Sequence, residues 1–319
     1  MAEERGEYQP KYSRFYLRGR PGEMDSELTW GKVSRYDRRA DIVATEWLTD
    51  TGTVRISFRV ADEQPFDFSP GQWIGLEEEV PGAGLRRSSY CMFSPPRGDG
   101  TFELLIRVLD NGPLSKHMTA LPPGYTMRFR GPRGKSMLPK ASDTELVLVG
   151  TGVGVAPLYS LCRHLLSEGD ERRIRLYWGL RLTDDICLLD ELNELADGLA
   201  NFTYEISLSQ PPPDWPHLKG RVTESVPPLL ERLGGKRYYL SGNGAMVEEM
   251  ELALCSLGVD RTFIFEERFF NMKPRVDRDV MDAIMGRFVA DDLTKADTKL
   301  RNQVWRFAAP EPEVADYPE

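Results

Sequence analysis

No stretch of this chain approaches the roughly 20 consecutive apolar residues that a helix needs to cross a bilayer, so a helical membrane span is not expected. The opening residues, MAEERGEYQPKYSR, place no apolar segment behind their charges. They do not read as a secretory leader, and the cytoplasm is the expected address. Cysteine is scarce: Cys91, Cys162, Cys187 and Cys255 stand far apart, without Cys-x-x-Cys or iron–sulfur spacing. That scatter speaks against a cysteine-held cluster, a zinc knuckle and a disulfide framework. Only three histidines occur (His117, His164, His217), in no metal-binding grouping, so no metal site is expected. Positive charge is in deficit, 41 Lys and Arg against 50 Asp and Glu, and the net charge of −9 disfavours nucleic acid as a partner.

What is present suits two domains with tails: 319 residues, 40 % hydrophobic and 29 % charged. Charge is uneven. Residues 11–40 carry eight bases against four acids, and the last ten residues carry four acids and no base. Solvated tails and a basic docking surface for an acidic carrier are both open readings. Residues 1–28 read as an arm.

From 29 to 140 the pattern is short and strand-like. TVRISFRV (53–60) alternates apolar and polar residues with a period of two, and TFELLIRVL (101–109) is a second strong strand. Pro-Gly and Gly-rich breaks separate such segments, which predicts a closed or nearly closed antiparallel barrel. From 141 to 270 the style changes. ELVLVG (145–150) is a continuous apolar run, as in a strand buried on both faces. Helix-like and strand-like segments then alternate through APLYSLCRHLLSEG, RIRLYWG, LLDELNELADGL, FTYEISLS, VTESVPPLLERL, RYYLSG, AMVEEMELALCSLG and FIFEERFF. The alternation predicts a doubly wound parallel sheet of five strands. Residues 271–319 read as an extension holding one helix over 277–293.

GTGVGVAPL (150–158) follows a buried strand and opens a helix. Glycines at Gly150, Gly152 and Gly154 permit a tight turn and close approach of backbone N–H groups to a pyrophosphate. Pro157 fits a first helical turn. Trp178 and Trp215 read as packing residues.

Five blocks in register resemble the ferredoxin–NADP reductase superfamily: FSPGQWIGL (68–76), RRSSYCMFSPP (86–96), the stretch 110–138, GTGVGVAPL, and LSGNGAMVEEM (240–250) with EERFF (266–270). The resemblance implies a six-stranded antiparallel FAD-binding β-barrel followed by a five-stranded parallel nucleotide domain. It implies that Arg87, Ser89, Tyr90, Cys91 and Met92 lie on the flavin strand, with Tyr90 against the isoalloxazine. Gly112, Leu114 and Ser115 would hold the flavin pyrophosphate. Thr151, Gly152, Gly154 and Pro157 would meet the nicotinamide dinucleotide, while Ser241, Gly242 and Met246 would line the nicotinamide. Cys91, Ser241 and Glu267 are the implied catalytic set, and Phe269 the aromatic that shields the flavin. Each has a plainer reading: Tyr90 as barrel core, Ser115 as a helix cap, Glu267 as a solvated carboxylate, Phe269 as interface packing.

The match departs from the family in three places. Ser88 stands where the family has Arg, with Arg87 one residue back; on a strand that shift changes faces unless a bulge restores it. Cys91 replaces a Ser or Thr, and Ser241 replaces a Cys. For the coenzyme, Ser209-Gln210 lacks the family's Ser-Arg, whereas Arg181 and Arg221 match basic positions of NADPH-using members; NADPH is favoured over NADH. The implied activity is hydride exchange between NAD(P)H and FAD, with single electrons passed to ferredoxin or flavodoxin. A reductase component of an oxygenase, a free-flavin reductase, and a non-catalytic nucleotide-sensing subunit are the alternatives.

Overall fold

The structure, a computed structural model, describes residues 36–269. The arm at 1–28, most of the basic stretch, the helix at 277–293 and the acidic end lie outside the described residues. Two compact units are present: residues 36–138 with 159–168, and residues 139–158 with 169–269.

The first unit is a curled antiparallel sheet of six strands: β1 (Arg38–Trp47), β2 (Thr53–Val60), β3 (Trp73–Val80), β4 (Gly84–Cys91), β5 (Thr101–Arg107) and β6 (Thr126–Arg133). Their order is β4-β3-β6-β1-β2-β5, and a bridge from Met92 to Leu104 draws the two edges together into a near-closed barrel. The period-two segment forms β2, and Val54, Ile56 and Phe58 are fully buried. Phe58 stacks on Phe102 at 5.2 Å, and Phe66 meets Phe129 edge-on at 5.7 Å, so aromatic rings fill the barrel. Helix α1 (Pro113–Ala120) packs on β3 and β4 with Leu114 and Met118 in the same core. Residues 159–168 group with this unit, where Tyr159 stacks on Phe93 at 4.7 Å.

The second unit contains β7 (Glu145–Thr151), the first turn of α2 (Val155–Ser167, the rest of which groups with the first unit), β8 (Arg173–Leu180), α3 (Leu189–Gly198), β9 (Phe202–Leu208), β10 (Leu218–Lys219), α4 (Val222–Ser225), β11 (Lys236–Asn243), α5 (Gly244–Ser256) and β12 (Ile264–Phe269). All six strands are parallel, in the order β10-β9-β8-β7-β11-β12. The sheet has six strands rather than the expected five. The added one, β10, is two residues long, too short to show a period. It is held by Trp215, whose indole N–H donates to the Leu218 carbonyl at 3.0 Å, and by Lys219, whose Nζ donates to the Pro213 carbonyl at 3.0 Å. The helix expected from VTESVPPLLERL stops after one turn. Pro227 and Pro228 bring no N–H and start a short 3-10 turn instead.

β7 is buried on both faces, with Leu146, Val147 and Leu148 at 0 % exposure and Val149 at 1 %. It is the central strand, with β8 on one side and β11 on the other. The chain therefore reverses its direction of winding between β7 and β11, and the crevice beyond their carboxyl ends is where open α/β sheets take ligands.

Candidate active site

On the barrel, β4 runs against β3 without a register shift: Ile74 faces Tyr90, Leu76 faces Ser88 and Glu77 faces Arg87. No bulge rescues the displaced arginine. Ser88 and Tyr90 share the face of the buried Ile74 and Leu76, while Arg87, Ser89 and Cys91 take the other. Arg87 is committed there, its Nε 2.6 Å from Glu77 Oε2 and its guanidinium over the Tyr36 ring at 5.2 Å. Arg128 holds the other Glu77 oxygen at 3.0 Å. Tyr90 is half-buried against the barrel core; burial pushes its phenol up from the ordinary value, and a hydrogen bond with Ser88 opposes that rise. Cys91 and Met92 are buried.

Gly112 precedes α1, whose first turn has neither an acidic residue nor a side-chain cap. The Ser115 hydroxyl donates to the Gly112 carbonyl at 3.0 Å, and a Cβ at Gly112 would lie 2.7 Å from that oxygen. Ser115 therefore closes the turn, and a side chain at 112 would push that hydroxyl aside. Leu114 anchors the turn in the core. Uncapped first-turn N–H groups at the positive end of a helix suit a phosphate, so this turn fits the flavin pyrophosphate.

In the second unit two loops meet at the switch point. Gly154 touches the loop after β11: an added Cβ would stand 2.5 Å from Gly242 Cα and 2.6 Å from the Ser241 carbonyl. Gly242, at φ +134, would in turn strike the Thr151 backbone, 2.9 Å from its carbonyl. The Thr151 hydroxyl accepts the Asn243 N–H at 3.3 Å. Thr151, Gly154 and Gly242 thus bring the two loops together. Gly152 is the exposed member, with φ +52 and open space around it. Pro157 lies buried in the first turn of α2, which carries no acid. Asn243 caps α5 by accepting the Ala245 N–H at 2.9 Å, and Met246 is buried beside it. An acid-free helix start behind a left-handed glycine fits a dinucleotide pyrophosphate.

Ser241 lies between Gly150 of β7 and Glu267 of β12 in the ladder, so the three share one face. Its hydroxyl is fully buried and has no hydrogen-bond partner among the described residues. Burial pushes the Glu267 carboxyl up to about 7. Phe269 is half-buried and sits level with Asn243. The opposite face of β12 is pinned by an ionic cluster in which Arg268 meets Glu266 at 2.7 Å and Glu251 of α5 at 3.2 Å, and Arg261 meets Glu251 at 2.5 Å. That cluster joins α5, the turn before β12 and β12 itself, and nothing in their local pattern signals it.

Arg181, Ser209-Gln210 and Arg221 follow the carboxyl ends of β8, β9 and β10. Arg181 Nε donates to Gln210 Oε1 at 3.2 Å, and the Gln210 N–H donates to the Arg181 carbonyl at 3.0 Å. A depression of about 750 Å³ bordered by Pro139, Asp143, Thr144 and Arg172 lies at the amino ends of β7 and β8, the wrong end of the sheet for a nucleotide. Among the described residues no group of three or more His, Cys, Asp or Glu is placed to hold a metal, and no helix is long and apolar enough to cross a membrane.

Residues 43–137 match the family model of the oxidoreductase FAD-binding domain, and residues 148–251 that of the oxidoreductase NAD-binding domain. Ferredoxin–NADP reductase B of Sorangium cellulosum is 35 % identical over 221 residues, covering 67 % of this chain and 90 % of the relative. The reductase component of propane 2-monooxygenase from Rhodococcus jostii is 30 % identical over 254 residues, 77 % of this chain and 67 % of the relative. Among solved structures, the Amycolatopsis cytochrome P450 reductase superposes with a TM-score of 0.65 at 27 % identity, covering 73 % of this chain and 69 % of that one. A Neisseria gonorrhoeae ferredoxin NADP+ reductase, solved with FAD and NADP bound, shares the fold at a TM-score of 0.61 and 20 % identity, over 73 % of this chain and 98 % of that one.

Barrel, parallel sheet and paired family domains define a two-domain oxidoreductase that binds FAD and a nicotinamide nucleotide. The chain belongs to the ferredoxin–NADP reductase superfamily.

Proposed function

We propose that this enzyme takes electrons from NADPH and delivers them to a separate one-electron carrier, a ferredoxin or flavodoxin, or to an oxygenase component. Bound FAD supplies the chemistry, accepting two electrons as hydride from the nicotinamide and giving them up singly. The protein's part is to hold, orient and protonate. In the first unit the N–H groups of Leu114 and Ser115 and the hydroxyls of Ser88 and Tyr90 are the donors for the flavin, with Tyr90 as its ring support and, where β4 ends, the backbone of Cys91 and Met92 beside it. Arg87, tied to Glu77 on the outer face, takes no part, so helix α1 supplies the positive field that an arginine would otherwise bring.

In the second unit the turn at 151–154 and the start of α2 hold the dinucleotide, and Ser241 and Gly242 border the nicotinamide. Glu267, poised near neutrality by burial, holds or releases a proton at its carboxyl as charge on the neighbouring ring changes. Phe269 shields that end of the site. Arg181 and Arg221, with the amide of Gln210, form a cationic edge at the end of the sheet, which suits a 2′-phosphate and favours NADPH over NADH.

The observation that carries the reading is the crevice at the β7–β11 switch point of the second unit, together with an α1 turn in the first unit that fits a second pyrophosphate. The reductases of Sorangium and Rhodococcus support a carrier or oxygenase partner. We assign the enzyme to the cytoplasm, since no disulfide joins any of its four cysteines. The test is the visible spectrum of the purified protein before and after NADPH or NADH, followed by reduction of ferredoxin, flavodoxin and free flavin. A yellow protein bleached faster by NADPH is expected. A protein that stays colourless with added FAD would refute the function, and one that binds nucleotide without bleaching would be a sensor.

A further inference from the structure

Trp178 looks from sequence like packing, and at 1 % exposure it does pack. It stands level with Gly150 in the β7–β8 ladder, on the same face as the start of the glycine turn. Its indole N–H is also used, donating to the Gly152 carbonyl at 2.9 Å. The same carbonyl accepts the N–H of Val155 as the helix begins. Gly152 holds φ +52, and an added Cβ there would meet nothing, so its requirement is conformational.

A peptide unit is planar and trans, so its C=O and its N–H point in opposite directions. With the Gly152 carbonyl drawn inward by a buried indole, the N–H of Val153 is turned away from that indole. A buried indole N–H without an acceptor is costly, so the ring and the carbonyl hold each other in one orientation.

We propose that Trp178 is a positioning residue for the nicotinamide nucleotide: its indole fixes the Gly152–Val153 peptide so that the Val153 N–H donates to the pyrophosphate. The proposal rests on the glycine turn being the dinucleotide site.

Trp178→Phe keeps an aromatic ring and removes the donor. KM for NADPH should rise roughly three- to tenfold, the value of one hydrogen bond to a backbone carbonyl, while kcat changes by less than about twofold. The loss should be smaller with reduced nicotinamide mononucleotide, which has no pyrophosphate. A merely structural tryptophan would lower kcat and raise KM alike for both donors, and that result would overturn the proposal. A second measurement needs no substitution. In ¹⁵N-labelled FAD-loaded wild-type protein, titration with NADP+ should move the Val153 amide and leave the Trp178 indole N–H bonded and slow to exchange. An unmoved Val153 amide in a protein that binds NADP+ would sink this inference alone. A wild-type protein that binds no nicotinamide nucleotide would sink the function reading and this inference with it.

Discussion

Glu267 is the residue whose chemistry depends most on its surroundings. Burial raises its carboxyl from an ordinary 4.5 to about 7, so the folded protein keeps a proton that the unfolded chain releases. The stability from that proton is complete below about pH 4.5 and is lost as pH rises through about 7. Glu267→Gln should therefore melt at nearly the wild-type temperature near pH 5 and higher than wild type near pH 8. Melting curves at the two pH values check this, and a uniform shift at both would refute it. If the carboxyl handles a proton in turnover, the same variant also loses the inflection near neutrality in kcat. At the coenzyme edge, Arg221→Ala should raise KM for NADPH by about tenfold or more and that for NADH by much less, because a phosphate bonded to a guanidinium is worth more than a neutral contact. Equal effects on both coenzymes would remove Arg221 from the 2′-phosphate site. Residue identities at these positions were readable in the chain, but their environments were not. Arg87 is the clearest case, since only the unbroken β3–β4 register shows that it faces Glu77.

At the scale of elements, the two loops of the nucleotide unit are held apart by no more than the width of a glycine. Gly154→Ala places a methyl 2.5 Å from Gly242 Cα, where backbone must move. Overpacking of this kind costs about 1–3 kcal/mol, which lowers the melting temperature by a few degrees and weakens nucleotide binding while leaving FAD bound. Absorbance of retained flavin together with a nucleotide titration measures both halves, and loss of flavin would show that the substitution disrupts more than the loop pair. The strongly patterned segments were legible: β2 and β7 lie where alternation and continuous apolarity put them. Two elements were not. β10 is too short to carry a period and exists because the Pro-rich loop is tied down by Trp215. α4 ends early because Pro227 and Pro228 outweigh the apolar stripe that follows.

At the scale of the molecule, each unit has its own hydrophobic core, one built on Phe58, Phe102 and Phe129 and the other on Val147, Tyr238 and Leu240. A ligand that binds only the native barrel stabilises it by mass action, about 2.7 kcal/mol at a hundredfold excess over Kd. Flavin-depleted protein should accordingly gain melting temperature from FAD and gain less from FMN, which offers α1 no pyrophosphate. Calorimetry of the depleted protein with each flavin decides it, and equal shifts would move the phosphate site away from the Gly112 turn.

By itself the sequence determined the architecture and its chemistry class, because periodicity, glycine turns and proline breaks act over a few residues and their order along the chain survives folding. The tertiary structure alone decided which way those residues face and what they touch. Register placed Arg87 against Glu77, loop contact committed Thr151 and Gly154 to Gly242 and Asn243, and burial set the acidity of Glu267. The physical reason is that facing, contact and desolvation are pairwise properties of distant segments, fixed only when the sheet brings those segments side by side.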